Sequence, residues 1–121
     1  MSKVNQFEDL RIWQEARELV KLIYHSISSD PVGSMDWGFR NQIQTAVVSI
    51  MNNIAEEFEH GSDKDFTRFL DISKAFCGEV RSMLYLAEDL NYIDSKNSKD
   101  LRDKAVSISK RISALSKHLR R

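Results

Sequence analysis

The stretch from residue 42 to residue 56 constrains this chain most, because at helical spacing it carries two stripes rather than one. Ile43, Val47, Ile50 and Ile54 form an apolar seam in alternating steps of four and three. Beside it Gln42, Ala46, Ser49, Asn53 and Glu56 repeat the spacing with small and hydrogen-bonding side chains. A single amphipathic helix needs only the first stripe to join a core. The second predicts another surface to satisfy, either a neighbouring helix or another subunit.

Three further helices follow from the same reading. The first is expected over about 9–27, with Ile12, Trp13, Ala16, Leu19, Val20, Ile23, Tyr24 and Ile27 on one broad face. Pro31 and Gly33 break it, since proline disfavours a helical residue before it and glycine weakens a helix. The striped helix spans about 36–60, with Gly61 placed for a left-handed C-terminal cap. Ser62, followed by Asp65, resembles a capping box and opens a third helix over about 63–90. Phe66, Phe69, Leu70, Ser73, Phe76, Cys77, Val80, Leu84 and Ala87 form its inner face, which Ile72, Met83 and Leu86 widen. Gly78 inside it reads as a point of close helix contact. Asp94, Ser95 and Ser98 compete to cap a fourth helix over about 96–120. Leu101, Ala105, Ile108, Ile112, Leu115 and Leu119 give that helix a narrow seam of the coiled-coil type.

One proline and four glycines are too few punctuators for a β-rich chain. The expected fold is all-α: one domain over 1–121, an antiparallel up-down-up-down four-helix bundle with short connections. The lone Cys77 excludes an intrachain disulfide and suits a reducing compartment. Charges interrupt every apolar run near the N-terminus, and nothing approaches the ~18 apolar residues of a membrane span. A cytoplasmic protein without membrane contact is expected.

The formal net charge is zero but unevenly spread. Residues 1–60 hold five basic and nine acidic side chains, and residues 61–121 hold thirteen and nine. After Asp103 there is no acid, while Lys104, Lys110, Arg111, Lys117, Arg120 and Arg121 are all basic.

Three segments resemble a known family. Residues 7–16 read Phe-Glu-Asp-Leu-Arg-Ile-Trp-Gln-Glu-Ala, residues 42–46 begin the striped helix, and residues 49–56 end in Asn53-Ile54-Ala55-Glu56. Together with residues 66–70, Glu79 and the Leu90-Asn91-Tyr92-Ile93 turn, they resemble the four-helix-bundle family of 23S rRNA intervening-sequence proteins. The resemblance covers roughly residues 7–94. It implies an up-down bundle assembling as a homopentamer, and kinship with the accessory variability protein of diversity-generating retroelements, which binds nucleic acid and a reverse transcriptase. It implies no reaction. The chain departs from the family pattern at Gln44 and Thr45, where relatives carry basic residues, at Glu57, where they carry glycine, and at Ala75 and Phe76, which replace a glycine-serine pair.

Candidate sites divide by chemistry. The six late cations are a candidate phosphate-binding surface, although they also suit the negative end of a helix dipole. Trp13, Gln42, Ser49, Asn53, Glu56 and Glu79 are read as a structural or interface network, because buried polar groups need partners and fix register. Glu57 and His60 show one glutamate-x-x-histidine spacing, where di-iron bundles need two, so no metal and no cofactor is expected. Arg111 and His118 match the loose arginine-histidine spacing of HEPN ribonucleases, with arginine to stabilise phosphate and histidine as acid or base. Cys77 reads as an inert core thiol. The expectation is a non-enzymatic, self-associating module that contacts RNA, or an RNA-bound protein, through its fourth helix; the rival is a HEPN-like ribonuclease.

Overall fold

Ile43, Val47, Ile50 and Ile54 are all sealed from solvent, so the apolar stripe of the second helix lies in the core. The computed structural model describes residues 6–60 and 67–119. Among them run four long helices and no strand: α1 (Arg11–Ser28), α2 (Trp37–His60), α3 (Arg68–Asp89) and α4 (Ser95–Leu119). Short 3-10 turns at Phe7–Asp9 and Gly33–Met35 precede α1 and α2.

The seams dictate the packing. Ala16, Leu19, Ile23 and Ile27 of α1 meet the α2 seam, Leu70, Cys77, Val80 and Leu84 of α3, and Ala105, Ile108 and Ile112 of α4 in one continuous core. Each large aliphatic chain buried this way contributes ~1.5–3 kcal/mol relative to exposure. Leu10, Ile54, Phe58, Leu70, Leu115 and Leu119 line one apolar cleft of about 270 Å³. That cleft places the starts of α1 and α3 beside the ends of α2 and α4. At the other end Tyr92, just after α3, bonds Asp36, just before α2. Each helix therefore runs antiparallel to the next, and α1 also packs against α4.

The helix ends show local chemistry at work. Asn91 takes φ 62°, and the Tyr92 N–H reaches the Ala87 carbonyl at 2.9 Å while the Asn91 N–H reaches Glu88 at 3.0 Å. This is the paired C-terminal capping arrangement that asparagine tolerates better than most residues. Of the three candidates for capping α4, Asp94 does so, accepting the Asn97 N–H at 2.7 Å. Ser98 is buried instead and donates to the Leu84 carbonyl of α3. Asp36 caps α2 through the Phe39 N–H at 3.2 Å. Thr67 supplies no side-chain cap to α3. Glu57 of α2 does so from a neighbouring helix, its Oε1 accepting the N–H groups of Phe69 at 3.1 Å and Leu70 at 3.3 Å.

Three expectations are corrected or fall outside this description. Gly78 is not a point of close contact: a Cβ built there meets nothing within 4 Å. Leu86 does not widen the buried face of α3 but stands 44% exposed, because no helix covers that side of the last turns. Gly61, Ser62 and Phe66 lie outside the described residues.

Candidate interaction surfaces

The basic residues of α4 separate onto two sides once the seam is buried. Lys104, Lys110 and Lys117 are exposed and make no ion pair among the described residues. Arg111 is half-buried, with its Nε 3.1 Å from the Glu15 carboxylate on α1. Neither atom has a directed hydrogen bond, so the contact is an ion pair tying α4 to α1 rather than a linear donor–acceptor bond. Lys104 borders a cleft of about 200 Å³ between these helices with Glu15, Glu18, Ser107 and Ile108. Arg120 and Arg121 lie outside the described residues. Of the six predicted phosphate contacts, three thus stand open to solvent and one is already engaged by a carboxylate. His118 is exposed, one heptad beyond Arg111.

The polar stripe of α2 behaves differently from a cross-helix network. Ser49 donates to the Thr45 carbonyl and Asn53 to the Ser49 carbonyl, each at 2.8 Å within the same helix. Gln42 and Glu56 are exposed, and Glu56 approaches His60 at 3.4 Å on its own helix. Glu79 is half-buried and makes no ion pair among the described residues. Trp13 is half-buried at the edge of the core, edge-on to Phe7 at 5.2 Å and covered by Arg17 at 5.5 Å.

The bonds that do cross between helices come from side chains outside that stripe. Ser73 of α3 donates to the Ile50 carbonyl at 2.7 Å in the dry core. Arg102 of α4 reaches Glu88 at 3.0 Å and lies 4.0 Å over the Tyr85 ring. The Tyr92 hydroxyl donates to Asp36 at 2.7 Å and its ring meets Phe39 edge-on at 5.3 Å. That hydrogen bond holds the Asp36 carboxyl below its ordinary value, helped by the Phe39 N–H, and raises Tyr92. Ser73 had a visible signal, its place on the inner face of α3, and the Tyr92 turn belonged to the family resemblance; Arg102 had none.

The chemistry available to catalysis is narrow. Burial pushes the Cys77 thiol up to about 12, with Arg81 and Lys74 opposing weakly, so the reactive thiolate is suppressed. Glu57 is committed to capping α3, and His60 stacks near Phe69 with ring centres 4.9 Å apart. Among the described residues no three acids, histidines or cysteines gather as a metal site, and no helix is long and apolar enough to cross a membrane.

Comparison with known proteins decides the family. The profile of the 23S rRNA-intervening sequence protein matches residues 8–114, nearly the whole chain. The chain belongs to this family. A crystal structure of a protein with unknown function from the S23 ribosomal protein family, from Bacteroides thetaiotaomicron VPI-5482, has the same fold, with a TM-score of 0.77. The two are 21% identical over 88% of this chain and 98% of that one. No protein with a curated description matches. The match to the intervening-sequence family runs through residue 114 and so takes in most of α4, beyond the segments that carried the resemblance.

Proposed function

We propose that the chain is a non-enzymatic, self-associating helical bundle, assembled as a ring of five, that serves in the cytoplasm as an interaction or scaffold module. We further propose that it touches RNA, or a protein bound to RNA, through α4. The observation that carries the reading is that Lys110 and Lys117, one heptad apart on the solvent side of α4, and Lys104, exposed at the cleft toward α1, make no ion pair among the described residues. Such lysines bind phosphate by releasing condensed counterions, and several copies in one ring multiply weak contacts. The rival ribonuclease reading is disfavoured by the Glu15–Arg111 pair, which engages the guanidinium that would have to meet a phosphate.

Light scattering should give five times the 14.0 kDa chain mass; a stable monomer would remove the ring. Fluorescence anisotropy with a structured RNA should show affinity that falls steeply with salt and is lost in Lys110→Glu/Lys117→Glu. No affinity even at low salt would remove the RNA contact. RNA cleavage that disappears in both Arg111→Ala and His118→Ala would replace this reading with the rival.

A further inference from the structure

We propose that the contact between copies joins two unlike faces: the apolar corner at the start of α2 that displays Arg40 on one copy, and the apolar side of α3 that displays Glu79 and Asp89 on the next. This rests on the self-association proposed above and states where it occurs.

The corner displays Val32, Met35 and Trp37 at 67%, 64% and 60% exposure, three large apolar side chains within six residues. Isolated exposed apolar residues are ordinary, but a cluster of them marks an interaction site. The loop that carries them is held firmly. Asp30 accepts the N–H groups of Val32 at 3.1 Å and Gly33 at 2.7 Å, and Arg40 donates to the Ser34 carbonyl at 2.8 Å. Gly33 lies so close under Tyr92 that a Cβ would sit 3.0 Å from the ring. A display fixed in advance loses little freedom on binding. Arg40 lies 5.1 Å over the Trp37 ring and pairs with no acid among the described residues. Tryptophan and arginine together are the residues that dominate association energies.

The opposing face has the complementary character. Along α3 and its C-cap, Glu79, Met83, Leu86 and Leu90 step by three or four beside Asp89. Leu86 and Leu90 are 44% and 43% exposed, and neither Glu79 nor Asp89 pairs with a cation among the described residues. Apolar surface thus meets apolar surface, with the Arg40 guanidinium opposite the Glu79 and Asp89 carboxylates.

Both patches lie at the same end of the bundle, where α2 begins and α3 ends, but on different sides. Trp37 starts the α2 row Arg40, Gln44, Met51 and Phe58, which ends against Leu10 of α1. The α3 patch adjoins the Ser73 side that bonds α2. In a four-cornered bundle these are adjacent sides, about a right angle apart. Unlike patches so placed make a head-to-tail contact, and copies joined at about 90–120° close into a ring of four to six.

Sedimentation velocity over a concentration series of the full chain tests this. Arg40→Glu, Asp89→Arg, Trp37→Ala and Leu90→Lys should each raise the midpoint of assembly by about tenfold or more. Adding Asp89→Arg to Arg40→Glu should recover about threefold or more of what Arg40→Glu alone loses, the rest being the Ser34 bond and the Trp37 contact that glutamate cannot make. Thermal melts at a concentration where all are monomeric confirm that each variant folds. A wild type that assembles while all four variants assemble equally well, or a double reversal that does not recover, overturns the contact and leaves self-association standing. A wild type that stays monomeric overturns both.

Discussion

Replacing Glu57 should unfasten the start of α3, although the residue belongs to α2. One carboxylate oxygen accepts two N–H groups at 3.1 and 3.3 Å, where the helix has no side-chain cap of its own. A hydrogen bond to a charged acceptor is worth roughly 1.5–3 kcal/mol when well formed. These two share one oxygen and the second is long, so they count for less than twice that. Loss of an ordinary N-cap costs ~1 kcal/mol, and a negative charge at a helix start adds ~0.3–1. Water that enters after truncation recovers part of the loss. The net expectation for Glu57→Ala is a loss of about 2 kcal/mol, a fall of about 1 M in urea midpoint for a protein of this size. Glu57→Gln keeps an acceptor oxygen and loses the charge, so it should lie about halfway between. Urea unfolding followed by circular dichroism at fixed protein concentration reads all three, because assembly makes the midpoint concentration-dependent. Alanine within ~0.5 kcal/mol of wild type, or glutamine as damaging as alanine, would refute the capping argument.

Three further outcomes follow from particular contacts. Ser73→Ala should cost about 0.5–1.5 kcal/mol, because it removes a buried hydrogen bond to the Ile50 carbonyl, which keeps its own helical partner. Ser116→Ala should be neutral or stabilising in the same urea assay, since its buried hydroxyl has no hydrogen-bond partner among the described residues; equal losses at both sites would sink the distinction. Gly78→Ala should stabilise by about 0.5–1 kcal/mol in open space, whereas Gly33→Ala should destabilise by about 1–3 kcal/mol against Tyr92, read by thermal unfolding of each. For the Asp36–Tyr92 bond, the native Asp36 value lies below the ordinary 3.8, so its stabilisation is present above 3.8 and is lost as pH falls through the lower native value. Tyr92 is raised above the ordinary 10.0, so its share is present below 10 and is lost as pH climbs through the higher native value. The gap in urea midpoint between wild type and Tyr92→Phe should therefore be widest near neutrality and close toward pH 2; a gap independent of pH would reject the bond.

Sequence spacing revealed the fold because burial imposes one period on every helix. All four seams were legible in this way, down to Ile43, Val47, Ile50 and Ile54, which are all buried. Contacts between distant residues leave no such period. Glu57 caps residues twelve and thirteen positions away, and Arg102 pairs with Glu88 fourteen positions back; neither follows a local pattern. Gly78 misled because a glycine in a helix has the same spelling whether another backbone approaches or nothing does. The exposed corner was missed for a related reason. Val32, Met35 and Trp37 sit in and after a break between helices, where no periodicity says which way a side chain points.

The polar stripe of α2 shows how far periodicity can carry an argument about association. Spacing identified a face, and the face exists: Ala46 is sealed and Ser49 and Asn53 are half-buried beside it. What spacing does not give is the bonding partner, because serine and asparagine can satisfy themselves on their own helix. Here they do so, four residues back in both cases. The stripe therefore needs no polar partner on α3, and what it offers is small size, with hydrogen bonds between these helices coming from Ser73 and Glu57 instead. Gln42 and Glu56, at its two ends, remain open to solvent. Substituting Asn53 with leucine should thus leave the cross-helix bonds intact and act on packing alone. A large loss of stability in Asn53→Leu that Asn53→Ala does not share would locate the tight approach of α3 at that position. Equal losses would place the tight approach elsewhere, nearer the sealed Ala46.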